Sequence, residues 1–564
     1  MTMTAVSPPA APTRSAVLRP IHAVLAGWIA FCLLNAANAA FFSPRWYLDF
    51  DSDSLMRLQQ VRDLLAGQGW FDLHQARLGD PGGASMHWTR VADLGIAGLV
   101  LVFRPVLGQV HAEIWAAALY PLLLFLPFLA LIARTARNLD GATAGVPAIT
   151  VATALLSPAA LIHFQPGNID HHNLQLIALA MVVCGATGGR TGRDGLLAGA
   201  GVALGIAVGV DAAPVVIAVA AALLLLWARQ PDRYARFLRA FGLSIVGLVA
   251  AAVLVFSPHP WSTQSCDSLT PPMAAFFLAF GGVWLAATAF FGRLASPAAR
   301  FAATAGFGLG AGALLLLVFP ACRNPIPLNH PLLWTYWMNA INENRSVVDF
   351  ALENPFRLIS LYVPTFIALI WTVRLARAGA LPVEACTTLA AAIVMATALT
   401  MNQVRALPQM ATLIVPLIAV AIARLQTSPS MLRRLGAWVL FVPTGYTLIG
   451  YKLDAALPEA AARPAAQQEV TPGASVFSQY CLDDRLLQRL RALPASSIAT
   501  GMNLSPLLIA YTPHRLLAAT YHRNAAVNLW TIQWLTVPPA TATALLAQRR
   551  PDYLLYCPQD PMFM

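Results

Sequence analysis

The sequence predicts a mainly α, polytopic membrane protein of about 13 transmembrane helices, with a small C-terminal α/β domain on the outer side. Three observations predict it. Of 564 residues, 58% are apolar and 11% charged, where a soluble chain carries roughly 45–50% and about 25%. Apolar runs of about 20 residues, long enough to cross a bilayer, recur along most of the chain. Basic residues gather in every second short loop, the bias that fixes membrane orientation. This composition excludes a soluble enzyme, a disordered chain and a compact disulfide scaffold. The 36 basic and 25 acidic residues give a net charge of +11, and Lys452 is the sole lysine. In a membrane protein that excess is a topology signal rather than a nucleic-acid footprint, so no nucleic-acid partner is expected.

The elements follow in order. Residues 1–19 open on a Ser/Thr/Pro/Ala-rich stretch and read as a disordered cytoplasmic N-terminus. Spans are expected at 20–41, 112–133, 144–163, 173–189, 194–211, 212–228, 241–257, 273–292, 302–321, 357–373, 380–400, 407–423 and 435–452. The stretch 194–228 is one apolar run divided by Asp211 and Pro214. The first span is too long for a removed signal peptide and lacks a small-residue cleavage site. Arg134 and Arg137, Arg190 and Arg193, and Arg229 to Arg239 follow the second, fourth and sixth spans. Arg293 and Arg300, Arg374 and Arg377, and Arg424 to Arg434 follow the eighth, tenth and twelfth. The N-terminus is therefore expected in the cytoplasm and the C-terminus outside.

The membrane domain is thus 20–452, with long outer segments 42–111 and 322–356. Residues 453–474 are rich in Ala, Pro and Gln and read as a linker. In 475–564, helices are expected at 482–493 and 540–548, and strands at 497–500, 515–519 and 552–556. Cys32, Cys184 and Cys386 fall in spans. Cys266, Cys322, Cys481 and Cys557 fall outside, where an oxidising compartment permits Cys266–Cys322 and Cys481–Cys557 disulfides.

Ionisable groups are costly near a bilayer, so their clusters mark function. They gather on the outer face. Asp49, Asp51 and Asp53 precede an amphipathic segment carrying Leu55, Leu58, Val61, Leu64 and Leu65. Three acids so close suit a divalent cation. One Asp would serve as a helix N-cap; three is an excess. Asp170, His171 and His172 sit in a short loop, where carboxylate and imidazole together suit a transition metal or a mixed Mg or Mn site. Glu343 lies in the second long outer segment as a further ligand or a surface charge. Arg405 opposes the inside-positive bias and is a candidate phosphate clamp. Asp211, His87 and Arg90 are secondary candidates. This set points to substitution at an anomeric carbon: a cation and an Arg stabilise a phosphate leaving group while a carboxylate directs the acceptor.

At these residues the chain resembles the catalytic subunits of oligosaccharyltransferase, in the GT-C superfamily of membrane glycosyltransferases. Asp49-Phe50-Asp51 with Arg57 resembles the family's first acidic motif, and Asp170-His171-His172 its second in archaeal form. Glu343 and Arg405 are placed like the family's loop glutamate and donor-phosphate arginine. The resemblance implies Asp51 as the catalytic carboxylate and a metal contact. It further implies Asp170, His172 and Glu343 as metal ligands and Arg405 on the phosphate of a lipid-linked sugar donor. The family's WWDYG acceptor motif is absent from 453–564, where 512–524 stands instead. The acceptor is thus a periplasmic protein, a polysaccharide or a lipid. Residues 170–176, 403–408 and 521–524 are also similar to a broad group of bacterial membrane proteins, which implies the inner membrane. A glycolipid transporter or flippase and a non-catalytic envelope-assembly protein are the competing readings. A transporter core would show repeated halves and charges near mid-membrane.

Overall fold

A computed structural model describes residues 20–36, 51–189, 191–261, 265–326, 328–457 and 484–557. A helix, or a bent or broken pair, lies on every apolar run named above. Among the described residues, seven helices are long and apolar enough to cross a membrane, or eight if one bent pair counts as a span. That pair, Val146–Leu155 and Pro158–Phe164, bends by 85°. The sequence reads this stretch as one straight span. Pro158 begins the second helix, where a proline has no N–H to give to the first.

The helix Arg90–Leu139 is broken at Gly108, whose φ of 72° suits glycine. Before the break lies an arm with two faces: Ala92, Ile96 and Val100 are buried, while Leu94, Leu101 and Val102 are bare. After the break the helix is a span. The helices His172–Gly188, Gly192–Val208 and Pro231–Phe256 meet through small residues. A Cβ on Gly195 would sit 2.2 Å from the Phe237 carbonyl oxygen, and one on Gly201 2.6 Å from that of Ala178. Such close backbone approach is how helices associate where lipid removes the hydrophobic driving force. Ion pairs fasten the helix ends away from the cavity described below: Arg134 to Asp194 at 2.5 Å and Arg424 to Asp140 at 2.6 Å.

The C-terminal elements surround a three-stranded parallel sheet. Ser497–Ala499 is central, flanked by Arg515–Leu516 and Tyr553–Leu554. Helices Asp484–Ala492, Ser505–Tyr511, Ala525–Thr536 and Pro539–Arg549 pack around it. Two of these, Ser505–Tyr511 and Ala525–Thr536, are absent from the sequence reading. The first is buried on all sides and so shows no helical periodicity.

The sheet does not stand alone. Leu78 of the first outer segment pairs with Leu516. Leu55, Leu58, Ile96 and Tyr120 share one apolar core with Leu487, Ile498, Leu508 and Cys557. Cys266 is bonded to Cys322, with Cα atoms 5.2 Å apart, joining the segment before Pro271–Ala289 to the one after Pro297–Val318. Cys557 is also disulfide-bonded, and Cys481 lies outside the described residues. Cys32, Cys184 and Cys386 are free thiols.

Candidate functional site

The Asp-rich stretch enters the site as a helix start. Asp51 is the N-cap of Ser52–Leu65. Its Oδ1 accepts the backbone N–H groups of Asp53 and Ser54 at 2.9 and 2.8 Å, and its Oδ2 accepts the Ser54 hydroxyl at 2.8 Å. Ser54 Oγ in turn accepts the N–H of Ile169 at 3.2 Å. Asp51 therefore stands two hydrogen bonds from the residue that precedes Asp170. Asp49 lies outside the described residues.

Asp170, His171 and His172 each offer a ligand atom, all within 4.8 Å of one another. His171 Nδ1 is 2.5 Å from one carboxylate oxygen of Asp170, and His172 Nε2 is 3.3 Å from the other. Arg57 lies 3.8 Å from Asp170 and 3.0 Å from Asp93, with its guanidinium 4.7 Å above the Trp88 ring. Arg90 is buried and does not line the cavity. It bonds Asp93, Gln68 and the Gln60 and Asp72 carbonyls, so it holds the first outer segment together.

A polar relay leads from this cluster to Arg405. His172 Nδ1 meets Gln175 Oε1 at 2.9 Å, and Gln175 Nε2 donates to Asp211 at 2.8 Å. Ionised Asp211 only accepts, so the amide nitrogen must face it and the amide oxygen must face His172. His172 then carries a proton on Nδ1, and Nε2 is the nitrogen that faces Asp170. Asp211 also accepts from Arg405 Nη2 at 3.3 Å. A Cβ on Gly209 would lie 2.2 Å from Gln175 Nε2, so glycine makes room for the relay. Glu343 sits in the turn Asn342–Asn344. That turn is tied to the turn of Arg405 by the Val404 N–H donating to the Arg345 carbonyl at 3.0 Å.

These groups line one cavity of about 1220 Å³. It takes in Asp51, Asp53, His87, Asp170, His171, His172, Asp211, Glu343 and Arg405. Asp51 is exposed to the cavity, whose walls of protein surround it. Removal from bulk water, then the Asp170 carboxylate, push its carboxyl above the usual range, and the Ser54 hydrogen bonds oppose the shift. Burial, Asp170 and Asp51 push Asp53 well above its usual value. Burial disfavours ionised Asp170 too, but His171, His172 and Arg57 outweigh it and hold that carboxyl well below the usual range. Acids crowded against one another, beside two imidazoles, are what a divalent cation relieves. The donor set of oxygen and imidazole nitrogen fits such an ion.

The same cavity is also lined by Asp267, which the sequence reading passed over, and by His87, Tyr521 and His522. Asp267 takes a two-pronged ion pair from Arg523, at 2.8 and 2.6 Å, and His522 at 2.5 Å. Tyr521 donates its hydroxyl to the Ser52 carbonyl at 3.0 Å. Burial, with His522 and Arg523, holds the His87 imidazole well below its usual value, hence neutral. The His163 ring lies 4.8 Å from that of His172, tilted by 45°. It reaches the cavity because the chain bends at Pro158, and no local signal announces that bend beyond the proline itself.

No protein-family model matches the chain, and no curated protein matches it in sequence. Its fold does match solved structures. It superposes on the archaeal oligosaccharyltransferase AglB from Archaeoglobus fulgidus, in complex with an inhibitory peptide and a dolichol-phosphate, with a TM-score of 0.63. Identity is 11%, over 93% of this chain and 68% of that one. The apo form of the Archaeoglobus fulgidus oligosaccharyltransferase gives 0.64 at 10% identity, over 95% and 69%. Its complex with zinc and sulfate gives 0.51 at 13%, over 89% and 62%. The chain therefore shares its fold with this archaeal oligosaccharyltransferase.

Proposed function

We propose that the protein is a glycosyltransferase of the bacterial inner membrane. It transfers a sugar or oligosaccharide from a polyprenyl-phosphate or polyprenyl-diphosphate donor to a periplasmic protein, polysaccharide or lipid acceptor. In this reading about 13 spans cross the bilayer, the N-terminus is cytoplasmic, and 475–564 is a periplasmic domain. The observation that carries the reading is the single cavity in which an acid and imidazole cluster shares a relay with Arg405. The AglB fold, solved with a dolichol-phosphate, supports it.

Each residue then has a task. Asp170 and His172, with Asp51 and Glu343, would hold a divalent ion, Mg or Mn, which would supply positive charge for the leaving phosphate. Arg405 binds the lipid phosphate. Among the described residues only its Nη2 is engaged, so the rest of the fork is available to phosphate oxygens. Asp211 keeps that fork in place. Asp51 orients the acceptor and takes its proton.

The test is purified protein in vesicles with a lipid-linked sugar. Donor-dependent transfer that is abolished in Asp51→Asn supports the reading. Metal-independent lipid movement without transfer would overturn it in favour of a transporter.

A further inference from the structure

Away from the catalytic cavity, a hollow of about 250 Å³ opens where the second span begins. Its floor is apolar, from Leu58, Val110 and Ile114, and its polar side holds Arg62, Arg491 and Tyr511. The two guanidiniums flank the tyrosine ring, 5.6 and 5.7 Å from its centre.

The two arginines differ in what they have left to give. Arg62 spends its Nε and Nη2 on Glu113, at 3.0 and 2.6 Å, and its Nη1 on the Ala510 carbonyl. Glu113 also accepts Gln109 Nε2 at 2.7 Å, so that acid is satisfied and its charge cancelled. Arg491 is fixed only through Nε, which donates to the Tyr511 carbonyl at 2.6 Å. Its two terminal nitrogens have no partner among the described residues. Among the described residues the hollow thus carries one uncompensated positive charge on a pre-oriented fork, the geometry that takes a phosphate.

The position identifies the source of that phosphate. Val110 is 60% exposed, and Val106, one turn earlier, is 84% exposed. They flank Gly108, where the arm becomes the span, so this apolar surface lies at the membrane interface. A free phosphate would leave the apolar floor uncovered; a lipid covers it with its glycerol and first methylenes.

We propose that this hollow binds one anionic glycerophospholipid of the cavity-side leaflet, its phosphate on Arg491 beside Tyr511 and its chains along Val110 and Ile114. The lipid ties the C-terminal elements to the bilayer and to the helix that Asp51 caps. This site is independent of the glycosyl-transfer reading.

The experiment is native mass spectrometry of the full chain from detergent, offered phosphatidylglycerol or phosphatidylcholine. Wild type is expected to retain phosphatidylglycerol in preference. Arg491→Gln should lower that retention about fivefold, the effect of one surface arginine. Arg489→Gln, exposed on the same helix, should not change it. Arg491→Lys keeps the charge without the planar fork and should restore part of the preference. Three results would overturn the proposal: unchanged retention in Arg491→Gln, equal retention of phosphatidylcholine, or displacement of the lipid by inorganic phosphate alone. If Arg491→Gln melts early in lipid-free detergent, Arg491→Lys decides, and its failure to bind overturns the proposal too.

Discussion

Asp51 has a structural task and a chemical one, and a single substitution separates them. Serine caps a helix about as well as aspartate, whereas alanine costs about 1 kcal/mol. Asp51→Ser is therefore expected to melt like wild type and lose sugar transfer. Asp51→Ala should lose transfer and also about 1 kcal/mol of stability. Transfer that survives in the Ser variant would reduce Asp51 to a helix cap. Gln175 is the second residue to test. One amide sets the His172 tautomer and holds the carboxylate that orients Arg405. Gln175→Leu should weaken activating metal by roughly 10–100-fold, as losses behind a ligand do, and raise the donor KM as well. A change in metal dependence alone would mean that the relay ends at His172. The acids and His residues were legible because charge stands out in an apolar chain. Gln175 and His163 were not, because a polar residue at the end of an apolar run has no spacing that marks it.

At the scale of elements, the apolar runs were legible because hydropathy depends only on composition and length. The bend at Pro158 and the buried helix Ser505–Tyr511 were not, because tertiary packing decides both. The clasp between Asp267 and the 522–523 turn belongs to the same class, since it joins groups more than 250 residues apart. Its energetics are testable by pH. Burial disfavours the Asp267 carboxylate, but Arg523 and His522 hold its pKa far below the ordinary value near 3.9. A depressed carboxyl contributes stability that is complete above the unfolded pKa and fades as pH falls toward the folded one. Asp267→Asn leaves Arg523 buried without its acid and should cost about 3 kcal/mol. The gap between wild type and variant should close below about pH 4, as the Asp267 carboxyl takes up its proton. Thermal melts across that range check it. A gap that widens further below about pH 4 would contradict the clasp.

For the whole molecule, the question is whether the C-terminal elements form a unit of their own. Composition suggested one, because a Pro/Ala-rich linker separates 475–564 from the last span. The core argues for a shared unit with the first outer segment. Arg62 bonds the Ala510 carbonyl, Arg77 bonds the Thr512 carbonyl at 2.6 Å, and Arg549 grips Asp80 at 2.6 and 2.9 Å. Leu55 and Leu58 are 3% exposed only because Leu487, Leu508 and their neighbours cover them. Removing that cover would bare several large side chains, each costing about 1.5–3 kcal/mol to expose. A chain cut after 457 should therefore keep its membrane helices and lose the fold of 51–89. Hydrogen exchange on the cut chain checks this. Protection should collapse in Ser52–Leu65, and with it the placement of Asp51, while Val383–Asn402 and Leu407–Gln426 stay protected. An outer segment as protected in the cut chain as in the full one would show two separate folding units, with the site assembled by the membrane domain alone.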